Sequence, residues 1–409
     1  MNIFSTIMVA LSALNRNKVR SFLTTLGIMI GVSAVIVTVA LGEGAKAQAE
    51  AAYAAMGTSL LIVLPGSTQS GGQRGGFGSM PTLTWDDLKA IQTEVPSVKW
   101  AAPGLRTSSS VLAESANWST SVWGTTPEFF DIRNWPMSLG SRFTQSDVDT
   151  GTKVAVLGQT VVDKLFGPAA DPIGQTVRIR NIPFTVIGVT IKKGQSSFGQ
   201  DYDDQVVIPV STFASKLQGG LRNYINGMIY IGASNSSLTS KAEREISALL
   251  RDRHRLVPGA EDDFNIRNLA EMAASQAEAT RTSSLLILAI GAISLLVGGI
   301  GIMNIMLVSV SERTREIGVR MAVGARPFDI LAQFLVESLL LSLLGGLCGV
   351  GIGAFAVDKV ASSFGWEAPI RLDSVLIALG FSALVGVVFG LYPAQKASRL
   401  DPIDALRYE

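Results

Sequence analysis

Cysteine and histidine are almost missing from this chain, with one of each, Cys348 and His254, in 409 residues. A lone cysteine excludes a disulfide framework and a thiolate metal cluster. A lone histidine excludes His-rich zinc chemistry. Charge is scarce as well: 16% of residues are charged, against about 25% in ordinary soluble proteins, and the mean hydropathy is +0.35. The net charge is +1 and no basic run is present, so nothing points to nucleic acid. The dipeptide Gly-Lys is absent, and a phosphate loop needs it followed by Ser or Thr. The nearest lookalike, GEGAK at Gly42, follows an apolar run and no soluble strand. ATP is therefore not expected to bind this chain in that way.

Long apolar runs are what the chain has instead. A bilayer core of about 30 Å needs roughly 20 apolar residues in a helix, and four stretches qualify: 21–42, 282–311, 330–357 and 374–395. The first has 22 residues without a charge, too long for a secretory h-region, so it reads as an uncleaved anchor. Arg16, Lys18 and Arg20 precede it, with no acid anywhere in 1–20. Arg313, Arg315, Arg320 and Arg326 follow the second run, and Lys396, Arg399 and Arg407 follow the fourth. Only Lys359 and Arg371 lie between the last two. The positive-inside rule then puts both termini and the 312–329 loop in the cytoplasm, and 43–281 outside.

The expected fold is an α-helical membrane protein whose first two spans bracket a large α+β extracytoplasmic domain on a helical stalk. In order, it comprises a cytoplasmic segment 1–20, the first span 21–42 and a stalk helix 43–57. The outer domain is 58–267, followed by a second stalk helix 268–281, the span 282–311 and the loop 312–329. The span 330–357, an outer loop 358–373, the span 374–395 and a tail 396–409 complete it. The stalks are Ala-rich and uninterrupted by proline, each about 20 Å long at 1.5 Å per residue. Within the outer domain, 58–66 reads as a buried strand and 67–80 as a mobile Gly/Ser loop. Residues 83–95 form a helix capped by Thr84, and 98–113, 119–124, 153–158, 175–180 and 183–190 read as strands. Residues 241–254 form an amphipathic helix. Two lobes are expected, one from about 58–124 and 221–267, the other inserted at about 125–220.

The candidate sites are few. His254, among Arg251, Arg253 and Arg255, reads as a solvated surface histidine. Asp201, Asp203 and Asp204 lack the glycine and distal glutamate of a calcium loop and read as a solvated turn. Glu114 and Glu128 make no acid–base pair. Gly27 and Gly31, Gly345, Gly349 and Gly353, and Gly386 and Gly390 repeat every four residues within spans, which lets helix backbones approach in lipid. Glu337 lies about 10 Å into the third span by helix rise. An intramembrane carboxylate is a candidate polar site, with a structural hydrogen bond or snorkelling as its plainer use.

The densest charge sits between the second and third spans, with seven charged residues from Glu312 to Asp329. Ser309 and Glu312 fit a capping box, unless the span simply continues through them. Glu316 and Arg320 form an i,i+4 pair. Val310, Ile317 and Met321 share a face, Gly318 leaves room for close approach, and Gly324 with Pro327 ends the helix. Such a helix, joined directly to two spans, could pass on a push from a soluble partner or serve only as a positive-inside anchor.

ERTREIGVRMAVGA in this loop closely resembles the signature of MacB-type ABC-transporter permeases, which are related to FtsX. The ending YPAQKASRLDPIDALRYE is similar to their C-terminus. WGTTPEFFDIRNWPMSLGSRF, VAVLGQTVVDKLFG and DPIGQTVRIRNIPFTVIGV resemble their outer domain. The resemblance implies a non-enzymatic permease subunit, working as a homodimer or as a heterodimer with a related permease. ATP and magnesium would be held by a separate ATPase, because this chain begins 20 residues before its first span. It implies that Glu312, Arg313, Arg315, Glu316, Ile317, Gly318, Arg320, Met321 and Gly324 form a coupling helix gripped by that ATPase. An extracytoplasmic adaptor or membrane fusion protein is a further implied partner, and drugs, peptides or lipid-like molecules are implied cargo. An FtsX-like regulator of a cell-wall hydrolase, a lipoprotein-releasing permease and a membrane-anchored enzyme are the alternatives. Missing catalytic constellations weigh against the last.

Overall fold

In a computed structural model of the chain, the described residues are 18–57, 59–66, 69–70, 73–74, 80–114, 116–168, 170–195, 201–219, 223–364 and 368–407. Residues 1–17 and most of the Gly/Ser stretch read as a mobile loop lie outside them. The chain divides into a membrane unit, residues 1–48 and 277–409, and an outer unit, residues 49–276.

Among the described residues, four helices are long and apolar enough to cross a bilayer. They are α1 (Lys18–Met56), α8 (Leu269–Glu312), α10 (Pro327–Phe364) and α11 (Leu372–Ser398). Two short helices, α9 (Thr314–Ala322) and α12 (Pro402–Arg407), are described in the membrane unit as well. The stretches read as spans and stalks share single helices: no residue between Lys18 and Met56, or between Leu269 and Glu312, leaves the helix. Both segments lack proline, and the glycines near the end of the first span, Gly42 and Gly44, are too few to interrupt it, so the helix propagates past the membrane surface in each.

The outer unit is organised by one long strand, β4 (Val98–Ala113). Its first half pairs antiparallel with β11 (Gly227–Ala233), which pairs with β1 (Leu60–Pro65), which pairs with β12 (Phe264–Asn268). Its second half pairs with β5 (Ala116–Thr125) and β8 (Thr176–Ile179). From β5 the ladder continues to β10 (Gln205–Pro209), β7 (Val154–Leu157) and β9 (Ile182–Thr190). β9 then pairs with β8, and β8 returns to β4. The pairings β4-β5-β10-β7-β9-β8 therefore close on themselves as a six-stranded barrel, which leaves those strands no free edge. Two-residue strands β2 (Gln69–Ser70) and β3 (Gln73–Arg74) pair separately, and β6 (Met137–Gly140) pairs with β9.

Apolar side chains fill both parts. Phe129, Phe143, Phe184 and Phe213 are fully buried around the barrel and its flanking helices α3 (Glu128–Ile132), α4 (Gln145–Thr150), α5 (Gln159–Leu165) and α6 (Val210–Lys216). The open part is covered by α2 (Trp85–Glu94) and α7 (Thr239–Arg253) through Leu88, Ile91, Ile246 and Leu250. Thr84 caps α2 as the sequence suggests. Its hydroxyl accepts from Asp87 N (3.1 Å) while Asp87 accepts from Thr84 N (2.9 Å).

Candidate functional site

The charged loop between α8 and α10 is a helix with a single break before it. α8 runs on to Glu312, so the Ser309–Glu312 capping box expected as one alternative is not formed. Ser311 instead bonds back to Val308 O at 2.8 Å, and the span continues through. The chain kinks at Arg313 (φ −109°, ψ 13°) and resumes as α9. Thr314 holds the kink by donating to Val310 O and Ser311 O, both at 3.0 Å. Gly324, at φ +105°, ends α9, with Ala325 N–H donating to Arg320 O at 3.0 Å. Left-handed backbone of this kind favours glycine.

The two faces of α9 have different uses. Val310 and Ile317 are buried and Met321 packs against them. Gly318 also faces inward. A Cβ there would come 2.8 Å from Ala405 Cβ, so the space that the sequence leaves at Gly318 is taken by α12 of the same chain. The opposite face is open. Arg315, Glu316, Val319 and Val323 are exposed, Val323 at 85%, and Ile403 and Leu406 of α12 are exposed as well. Glu316 and Arg320 form the expected i,i+4 ion pair at 2.5 Å.

α9 is also fastened sideways. Arg313 Nη1 donates to Glu337 Oε2 at 3.3 Å, and Arg320 Nη1 donates to Gln333 Oε1 at 2.7 Å. Glu337 and Gln333, one helical turn apart on α10, are 5% and 4% exposed. Glu337 therefore neither snorkels nor stands alone: it answers a guanidinium.

The spaced glycines face other helices of the same chain. A Cβ at Gly27 would lie 2.9 Å from Gly298 Cα, and one at Gly31 would lie 2.7 Å from Leu295 Cγ. Gly345, Gly349 and Gly353 of α10 face Ile28, Met29–Val32 and Ile36 of α1. Gly386 and Gly390 of α11 face Ser342 and Ser338 of α10, and Ser382 Oγ donates to Ser342 O at 2.6 Å.

Two family descriptions match this chain: a MacB-like periplasmic core domain over residues 21–249 and an FtsX-like permease C-terminal region over residues 288–402. A macrolide export ATP-binding/permease protein MacB from Syntrophobacter fumaroxidans is 43% identical over 98% of this chain and 63% of its own length. The chain belongs to the MacB family. The same-named protein of Chlorobium luteolum is 44% identical, over 98% of this chain and 59% of that one. This chain thus spans about three fifths of the length of the curated relatives it matches. Among solved structures, the periplasmic region of MacB from Actinobacillus actinomycetemcomitans aligns with 23% identity and a TM-score of 0.45, covering 55% of this chain and 95% of that one. As a MacB-family permease it is a multi-pass membrane protein, with residues 43–281 outside and the α9 loop in the cytoplasm.

In the MacB-like outer domain two readings from the sequence need correction. His254 is not a solvated histidine. Its Nδ1 lies 2.7 Å from Asp263 Oδ1 and its Nε2 lies 3.3 Å from Asp87 Oδ2, with the side chain 10% exposed. Arg253 Nε adds a bond to Asp87 Oδ1 at 2.7 Å. The partners lie 9 and 167 residues away in sequence, so no local pattern announces them. The hydrogen bond to Asp87 raises the imidazole pKa above its usual value, burial opposes it, and Asp263 adds to the rise. Burial pushes the Asp87 carboxyl up, but the bonds from His254, Thr84 and Arg253 outweigh it and hold the group well below the usual carboxylate range.

The aspartates near 201 are not a solvated turn either. Asp203 is fully buried and accepts from the N–H groups of Lys193 (2.8 Å) and Gly194 (2.7 Å). Asp201 accepts from Thr160 Oγ1 at 2.7 Å, and Asp204 accepts from Trp118 Nε1 at 2.8 Å. Each carboxylate is spent on the fold. Lys193 Nζ donates to Arg133 O at 2.6 Å, and burial together with the Arg133 charge lowers its pKa to about 8, against the pull of Asp203. Among the described residues no three His, Cys, Asp or Glu side chains group as metal ligands would.

Proposed function

We propose that this chain is the membrane permease of an ABC exporter of the MacB type. A cytosolic ATPase binds the open face of α9, and ATP-driven motion there is passed through the spans to the outer domain. ATP and magnesium belong to the ATPase. Cargo is exported by mechanotransmission, with a homodimer of permeases and an extracytoplasmic adaptor as the further components. The observation that carries this reading is the two-sided helix at the α8–α10 turn. A helix needed only as a positive-inside anchor has no reason to keep Val319 and Val323 exposed beside Arg315 and Glu316 while its other face is packed.

The test is charge placed on the open face. Arg315→Glu combined with Val319→Glu leaves the packed face and the Arg320 contacts untouched. It replaces apolar contact and a cation with two carboxylates, and like-charge or unpaired contacts at an interface cost several kcal/mol. Co-purification of the ATPase with the full-length permease should fall at least tenfold while insertion and yield hold. An ATPase retained at wild-type stoichiometry would leave α9 a topological anchor. Gly318 is the wrong place for this experiment, since a larger residue there displaces the chain's own α12.

A further inference from the structure

The ends of α9 are joined to α8 and α10 by backbone, and two arginine side chains, Arg313 and Arg320, both reach buried acceptors on α10. Arg313, at the kink, reaches Glu337, and Arg320, two turns further on, reaches Gln333. Both acceptors occupy one face of α10 four residues apart, as an i,i+4 pair must. Both acceptors are buried while the guanidiniums are partly exposed, so water is kept from the acceptor end of each bond. The kink at Arg313 bends the chain between α8 and α9, but the two stay bonded: Arg313 N donates to Ser309 O at 3.1 Å, and Thr314 Oγ1 donates to Val310 O and Ser311 O at 3.0 Å. The joint to α8 is thus local, confined to the turn at the kink, whereas the joint to α10 is made by two side chains about two turns apart.

What α10 is packed against gives the second joint a consequence. Ser338, Ser342 and Gly346 of α10 face Gly390, Gly386 and Ser382 of α11 in antiparallel order, so α10 and α11 interlock. Gly345, Gly349 and Gly353, on another side of α10, receive Ile28, Met29–Val32 and Ile36 of α1. A displacement of α10 therefore cannot occur without moving α11 and α1.

We propose that Glu337 and Gln333 are positioning residues that latch α9 to α10 at two points, so that motion imposed on α9 is delivered to α10 and its packed neighbours. This rests on the reading that an ATPase binds the open face of α9. The latch acts through position alone. Neither residue meets the ATPase or the cargo.

The experiment uses the full-length permease bound to its ATPase in nanodiscs, with Cys348 replaced by serine. Spin labels at Ala322 on α9 and Leu347 on α10 report the latch, and labels at Ile290 on α8 and Leu347 report delivery. A separate variant, Val319→Cys, is cross-linked to the ATPase. In the wild type the first distance should be narrow and constant, and the second should shift between nucleotide-free and ATP–vanadate states. Glu337→Ala with Gln333→Ala should broaden the first distribution and abolish the nucleotide-dependent shift in the second. Bound ATPase and basal hydrolysis should stay within about twofold. Glu337→Gln, which retains an oxygen acceptor for Arg313, should restore most of the shift when Gln333 is intact. A double variant with both distances behaving as in wild type overturns the latch. A broadened first distance with an unchanged nucleotide shift overturns delivery through α10. Failure of Val319→Cys to cross-link to a bound, active ATPase would refute the docking reading, a result separable from either of these.

Discussion

The outer domain and the membrane bundle reach close packing by opposite means. Around the barrel, space is filled by large side chains: Phe129 stacks edge-on to Tyr230 with ring centres 5.2 Å apart and to Phe130 at 5.9 Å, and Trp123 lies within 6.4 Å. In the bundle, space is removed by leaving side chains out, with Gly27 against Gly298 and Gly390 against Ser338. The solvent explains the difference. Water drives large apolar surfaces together, at about 25 cal/mol per Å². Lipid tails are as apolar as leucine, so only closer approach and polar contacts distinguish a helix neighbour from a lipid. Buried charge follows the same division. The outer domain spends carboxylates on many donors each, as at Asp203, whereas the bundle answers one carboxylate, Glu337, with one guanidinium.

The comparison breaks most severely if large-to-small changes are tolerated outside. Phe129→Ala removes a fully buried ring and should destabilise the outer domain by about 3–5 kcal/mol. In full-length protein the expected readout is loss of hydrogen-exchange protection in the β5 and β11 peptides, with the spans still protected. Protection unchanged in β5 and β11 would mean that this core is not held by its aromatic cluster.

Inside the bundle the reverse change should matter. Gly390→Leu forces a side chain into the Ser338 Cβ, 2.5 Å from where the new Cβ must go. Overpacking of this kind costs about 1–3 kcal/mol. Gly380, on the same helix, has nothing within 4 Å of its Cβ position, and Gly380→Leu should be neutral. The measurement is the yield of folded protein and disulfide trapping between α10 and α11. Equal behaviour of the two variants would deny that small residues set this helix pair.

Much of this division is legible in the sequence because it is local. Spans of the right length, Arg and Lys at one set of ends, the Thr84 cap and the Glu316–Arg320 pair all lie within a turn or two of chain. Glycines at four-residue spacing are visible for the same reason, although which helix each one faces is not. What escapes sequence reading is pairing at a distance. The barrel closes through β4 with β8 and β5 with β10, strands separated by about 65 to 85 residues, and alternation within one strand does not name its neighbour. Gly318 shows the limit at the candidate site. Its missing side chain is visible, but the occupant of the gap, Ala405, lies in the last helix, and only folding brings it there. His254 escapes for a related reason: a histidine among arginines looks solvated until the distant Asp87 is placed beside it.

That histidine sharpens the comparison at the smallest scale, because it gives the outer domain a pH dependence that the bundle should lack. His254 joins α7 to α2 through Asp87 and to the approach of β12 through Asp263. A group whose native pKa is raised lends its full stability below its unfolded value, 6.5, and loses it as pH climbs through the native value. Asp87, whose native pKa is lowered from 3.8, lends stability above that value and loses it only as pH falls through the native one. The clasp is therefore strongest between about pH 4 and 6.5 and weakens above that window. Hydrogen bonds to charged groups contribute about 1.5–3 kcal/mol each when well formed, and the 3.3 Å contact to Asp87 places this one at the lower end. His254→Asn should cost the most at about pH 5.5 and progressively less towards about pH 8.5, read as exchange rates in β12 and α2 peptides of the full chain. In α10 and α11 the variant and the wild type should exchange alike at every pH in that range. A variant whose deficit is the same at both pH values would show that His254 serves the fold by shape alone, packed edge-on to Phe264, and not by its charge.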